Sequence, residues 1–141
     1  MIESWIFFAL LSAIFAAAVA ILGKIGISGI DSTLATTVRA LVMAGFLTIV
    51  SISLGKIKYL STINSKTLLF IVLSGVAGAI SWIFYFVALK KGPATGVAAL
   101  DRLSVVFVLV LAALFLNEQL TWKTGLGATL VATGAFLMTL K

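Results

Sequence analysis

Five apolar stretches fill almost the whole chain and constrain its fold before any other feature does. They run Trp5–Leu22, Leu34–Leu54, Thr67–Leu89, Gly96–Leu116 and Thr121–Leu140. Each is close to the roughly 20 residues that an α-helix needs to cross a bilayer core. The runs are continuous, without the alternation of a membrane barrel strand. The sequence therefore predicts an all-α, polytopic membrane protein with five transmembrane helices. An odd number of spans puts the two ends on opposite sides of the membrane. A short odd-span unit is what one inverted repeat of a transporter would look like standing alone.

Composition excludes most alternatives. Hydrophobic residues make up 62% of the chain and charged residues 10%, against about a quarter charged in an ordinary globular domain. Mean hydropathy is +1.28. The polar residues that would coat a soluble core are missing, and no hydrophilic domain is present for a lipid anchor to hold. There is no cysteine and no histidine, which removes disulfides, thiolate metal sites, histidine acid–base catalysis and Ser-His-Asp triads. No metal, cofactor or catalytic pair is expected. Asp101 and Glu118 are the acids beyond the first connection, and they fall at opposite ends of one span, so the chain does not read as an enzyme. The net charge of +6 does not imply nucleic acid, because the lysines are scattered at span ends rather than clustered in a stripe. The chain opens Met-Ile-Glu-Ser, without the positive n-region of a secretory signal, so the first stretch is read as a retained helix.

The connections are short. Gly92 suits a helix C-terminal cap, Pro93 the first turn of the next helix, and Thr121 an N-cap. The N-terminal side holds Lys56, Lys58, Lys66 and Lys123; the other holds Lys24, Lys90, Lys91 and Lys141. Arg39 and Arg102, inside spans near the second side, make that six against four. This bias orients the chain weakly. Either the second side is cytoplasmic, or the chain inserts both ways.

Ionisable groups inside a bilayer are the functional candidates by default. Arg39 lies in the second span and Asp101 and Arg102 in the fourth. Both spans begin on one side, which puts each arginine about 9 Å along its helix at 1.5 Å per residue. One reading is a charged cluster in a cavity, with Asp101 neutralising one arginine and the other left for an anionic group. The other is that both arginines snorkel to the interface. In the third span Ser74, Gly78, Ser81 and Tyr85 share a helical face bordered by Trp82. That stripe fits a substrate path or a tight helix contact. In the fifth, Thr124, Ala128, Ala132 and Ala135 form an uncharged small-residue stripe that reads as packing, within the bundle or between protomers. Glu118 reads as a solvated loop acid before the next helix. Lys24, Lys90 and Lys91 read as interfacial charges able to draw an anion.

The run Ala88-Leu89-Lys90-Lys91-Gly92-Pro93-Ala94, then Leu103-Ser104-Val105-Val106-Phe107-Val108, Leu114-Phe115-Leu116-Asn117-Glu118-Gln119-Leu120 and Gly125-Leu126-Gly127-Ala128, resembles the EamA-like domain of the drug/metabolite transporter superfamily. Asp101-Arg102-Leu103-Ser104 and Ala35-Thr36-Thr37-Val38-Arg39 resemble its small five-span bacterial and archaeal branch. Most members carry ten spans as two inverted halves and move small metabolites. The resemblance implies that this chain equals one half and that two copies complete the pathway. It also implies that spans one to four line the cavity while span five packs outside. Many members have a proline near position 105, where this chain has Val105, so the break such a proline makes is not carried over. The membrane glutamate of four-span multidrug relatives is not carried over either: the first stretch has no acid, Glu3 lying outside it.

These readings converge on a secondary transporter of small metabolites in the cytoplasmic membrane, acting as an antiparallel homodimer with alternating access. Its substrate is anionic or zwitterionic and is held by Arg39, Ser81, Trp82, Tyr85, Asp101, Arg102 and Ser104. The bilayer is its other partner. The alternative is a non-transporting membrane scaffold, or a half-transporter that needs a different partner chain.

Overall fold

A computed structural model describes residues 4–140; Glu3 and Lys141, used above for the first span and the charge count, lie outside them. The described residues are helical and contain no strand. Helix α1 is Ser4–Gly26, α2 Ser32–Ser53, α3 Ser65–Lys91, α4 Ala94–Asp101, α5 Ser104–Phe115 and α6 Trp122–Leu137, with a short 3₁₀ helix at Ile57–Thr62. Four helical stretches are long and apolar enough to cross a membrane: α1, α2, α3, and α4 with α5 taken together.

The fourth expected span is not one helix. It divides at Arg102 and Leu103, where successive amides reach back three residues: Arg102 to Ala99 (3.1 Å), Leu103 to Leu100 (2.9 Å), Val105 to Arg102 (3.1 Å) and Val106 to Leu103 (2.9 Å). The dihedrals there, −68°/−12° and −60°/−19°, are those of a tightened 3₁₀ turn. No proline causes this. The fifth span also differs from its expected Thr121–Leu140. α6 has 16 residues, about 24 Å at 1.5 Å per residue, and a turn follows at Met138.

The helix ends follow local side-chain chemistry. Asp31 caps α2, its Oδ1 accepting from the Thr33 and Leu34 amides at 2.9 and 3.0 Å. Asn64 does the same for α3, accepting from the Thr67 amide at 2.8 Å. Thr121 caps α6 as expected, in a reciprocal box with Thr124. Pro93 is the N-cap of α4 rather than its first helical residue. α5 ends at a left-handed residue, Asn117 at φ 53°, after which the Glu118 amide donates to the Ala112 carbonyl at 3.3 Å.

The residues fall into two compact units, 4–24 with 91–140 and 25–90. In the first, α6 packs on α4 and α5 through buried Ala99, Ala112, Ala128 and Ala135. Of the expected small-residue stripe on the fifth span, Ala128 and Ala135 are buried in this unit, Ala132 is partly buried and Thr124 is exposed; such small side chains let helix backbones approach closely. Here Lys24 Nζ donates to the Gly92 carbonyl at 2.8 Å, fixing the start of α4. In the second unit, Lys90 Nζ donates to the Ile30 carbonyl at 2.7 Å and fixes the turn that leads into α2. Two lysines read as interfacial charges therefore also act as loop ties.

Candidate functional site

The second unit contains the better-formed site. α2 carries Arg39 seven residues past its first residue, about 10 Å along the axis. Arg39 is partly buried. Its guanidinium carbon stands 3.6 Å from the centre of the Trp82 ring on α3 and 5.4 Å from that of Phe86, one turn further on. At 3.6 Å the planar guanidinium stacks on the indole, an arrangement that stabilises by about 0.5–2 kcal/mol according to how dry the pair is. Stacking uses the flat face of the group and leaves its edge N–H donors for an anion. The only acid in residues 25–90 is Asp31, and Asp31 is engaged in the α2 cap.

Trp82 also lines a cavity of ≈ 680 Å³ between α2 and α3. α2 contributes Thr33, Thr36, Thr37 and Met43 among others, and α3 contributes Gly75, Gly78, Ala79 and Ile83. The lining is mostly apolar with a few hydroxyls, the usual character of a small-molecule pocket, and the volume is in the usual range. Thr36 and Thr37 donate to the carbonyls of Ser32 and Thr33 at 2.8 and 2.9 Å. Their hydroxyl protons are thereby committed within the helix, which leaves the oxygens only acceptor capacity.

The sequence stripe on α3 is rotated from this lining by roughly 100°, one residue position. Gly78 is shared, and bordering Trp82 becomes central. Ser74, Ser81 and Tyr85 are not among the lining residues. Ser81 is exposed and Tyr85 partly buried, the latter with its ring 6.2 Å from that of Phe86. Sequence reasoning missed the three threonines. Their signal was Thr36-Thr37, quoted above only as part of a family motif.

Asp101, Arg102 and Ser104 belong to the other unit. Asp101 is the last residue of α4, Arg102 lies in the break, and Ser104 is the first residue of α5; all three are exposed. They sit at a helix discontinuity rather than inside a regular span. Interrupted helices expose unpaired backbone groups and are common where transporters handle polar cargo. Glu118 is exposed in its loop as expected.

Among the described residues there is no cluster of acids that could hold a metal. The chain matches the EamA-like transporter family over residues 3–140. The chain belongs to that family. It is also 43% identical over 138 residues, 98% of each chain, to an uncharacterised transporter encoded in a cobO 3′ region of a Sinorhizobium species. No solved structure matches it. This EamA-like chain is therefore a multi-pass membrane transporter, whose family implies a small-molecule substrate and a lipid surround.

Proposed function

We propose that this EamA-like protein is a secondary transporter of small anionic or zwitterionic metabolites in the cytoplasmic membrane, working as an antiparallel homodimer by alternating access. One observation carries the reading: Arg39 is stacked on Trp82 beside an apolar cavity, and the one carboxylate of its own unit, Asp31, is engaged in the α2 cap. An intramembrane cation is costly, and an anionic group on the cargo offsets that cost when bound. In this reading Arg39 receives the carboxylate or phosphate and Trp82 orients the guanidinium. Ser81 and Tyr85, on α3 beside the cavity-lining Trp82 but outside the lining itself, border the path. Asp101, Arg102 and Ser104 form a second polar set at the α4–α5 break, where Asp101 holds Arg102 or receives a substrate amine.

The dimer rests on the odd span count and the weak charge bias between the two sides. It also draws on α3, whose most apolar 18-residue stretch has 0% of its residues buried, and on Gly75 and Gly78, which have nothing within 4 Å of where a side chain would begin. A second copy, inserted the other way, would cover that face. The alternative of a half-transporter shares this observation, because a different chain would cover the face equally well.

Two measurements test the proposal. Cells expressing the wild type and Arg39→Ala at equal membrane abundance should differ in the small carboxylates they accumulate or release; identical profiles would reject Arg39 as a substrate group. The chain has no native cysteine, so Lys141→Cys is a single reporter for a membrane-impermeant reagent on intact cells and inverted vesicles. Labelling from both sides supports dual insertion. Labelling from one side sinks the antiparallel homodimer in favour of a different partner.

A further inference from the structure

The connection from α2 to α3 has a chemistry of its own. Gly55 turns the chain in the left-handed region at φ 62°, where a side chain would be strained, and Ile57–Thr62 then winds as a 3₁₀ helix. In such a helix, side chains three apart eclipse one another. Ile57 and Leu60 therefore share a row that Ile63 extends, and these residues are 43%, 62% and 37% exposed. Lys58 and Tyr59 stand off that row. The ammonium groups of Lys58 and Lys56 lie 5.1 and 5.8 Å from the centre of the Tyr59 ring. Ile57 and Leu60 join Leu47, Thr48 and Ser51 of α2 around a groove of ≈ 330 Å³, whose remaining lining residue is Lys56. Lys66, in the first turn of α3, follows. From Ser51 to Lys66 there are three lysines and no acid.

An apolar row, a groove of apolar and hydroxyl side chains lined also by Lys56, and a second lysine beside Tyr59 suit the boundary between headgroups and acyl chains. We propose that this connection is a binding site for an anionic phospholipid. Lys56 and Lys58 hold the phosphate, Lys66 adds attraction, and the groove takes the first part of an acyl chain. The site lies roughly 20 Å along α2 from Arg39 and is independent of the substrate reading.

The test is thermal unfolding of the detergent-purified protein with added phosphatidylglycerol or phosphatidylcholine. The wild type should melt higher in phosphatidylglycerol, and raised salt should erase the difference. The triple variant Lys56→Gln, Lys58→Gln, Lys66→Gln should match the wild type in phosphatidylcholine and lose the extra gain. Its apparent affinity for phosphatidylglycerol should fall about a hundredfold, at roughly fivefold per lysine. Glycerol phosphate, a soluble headgroup without acyl chains, should not protect at the same concentration. Equal gains from both lipids, a triple variant that keeps the gain, or full protection by glycerol phosphate would each overturn the assignment. Should the triple variant fail to fold, Lys58→Gln alone and the salt titration of the wild type decide it by the same criteria.

Discussion

The α2–α3 pair and the α5–α6 pair are made from similarly apolar sequence and end up differently. α5 and α6 meet through Ala112, Ala128 and Ala135, all buried, and α6 is closed at its start by a capping box. α2 and α3 leave a cavity between them, expose every residue of α3 from Ser65 to Ser81, and carry Arg39, while the one acid of their unit, Asp31, is engaged in the α2 cap. Small residues are present in both pairs, so residue size alone does not decide which helices close. In α6 the alanines meet a neighbour. In α3 the glycines Gly75 and Gly78 meet nothing within 4 Å of where a side chain would begin, and Trp82, Met43 and Leu47 line the space beside them. The first pair is a packed support. The second is the surface on which we propose that substrate binds.

This contrast can be broken by substitution. The largest structural effect is expected at the alanine seam: Ala128→Leu or Ala135→Leu should cost about 1–3 kcal/mol through overpacking, read as a lower melting temperature in detergent. Thr121→Ala should cost about 1 kcal/mol by removing the α6 cap, without altering carboxylate binding. Gly78→Ala should have the opposite sign in the detergent-dispersed monomer, where no second copy covers this face. Its new methyl meets no atom within 4 Å, and replacing glycine within a helix stabilises by up to about 1 kcal/mol. A destabilised Gly78→Ala would mean that this face is already packed against a partner.

The smallest effect is a pH dependence at the α2 cap. The Leu34 amide above all holds the Asp31 carboxyl below its ordinary value of 3.8; burial opposes this, and the Thr33 amide and the Lys90 ammonium add to the lowering. A carboxyl lowered in the folded state favours folding above its unfolded value, and that contribution disappears as pH falls through the lowered one. Melting curves of the wild type should therefore lose a small increment on acidification below about pH 4 that Asp31→Ala does not lose.

The membrane class, the main apolar helices and the Thr121 cap were legible in the sequence because each depends on local information: run length, hydropathy, or one side chain and the amide three residues on. Arg39 was legible for the same reason, as a lone cation in an apolar run. Its stacking on Trp82 was not, because that depends on how α2 and α3 are rotated against each other. A one-residue rotation moved the lining from Ser74, Ser81 and Tyr85 to Gly75, Ala79 and Ile83. The break at Arg102 and Leu103 gave no sequence signal either. Neither proline nor glycine stands there, and the tightening lies in the backbone hydrogen bonds alone. The early end of α6 at Leu137 was hidden for a similar reason, since Met138, Thr139 and Leu140 continue the apolar run.

The most direct test of the central claim uses Trp82 as its own reporter. With Trp5→Phe and Trp122→Phe, Trp82 is the only tryptophan left of the chain's three. Its emission is then followed while benzoate, or benzylamine as the cationic control, is added to the purified protein. The account predicts a saturable change with benzoate, none with benzylamine, and loss of the benzoate response in Arg39→Ala. No saturable benzoate response, or one that Arg39→Ala retains, would contradict a carboxylate site at the Arg39–Trp82 stack.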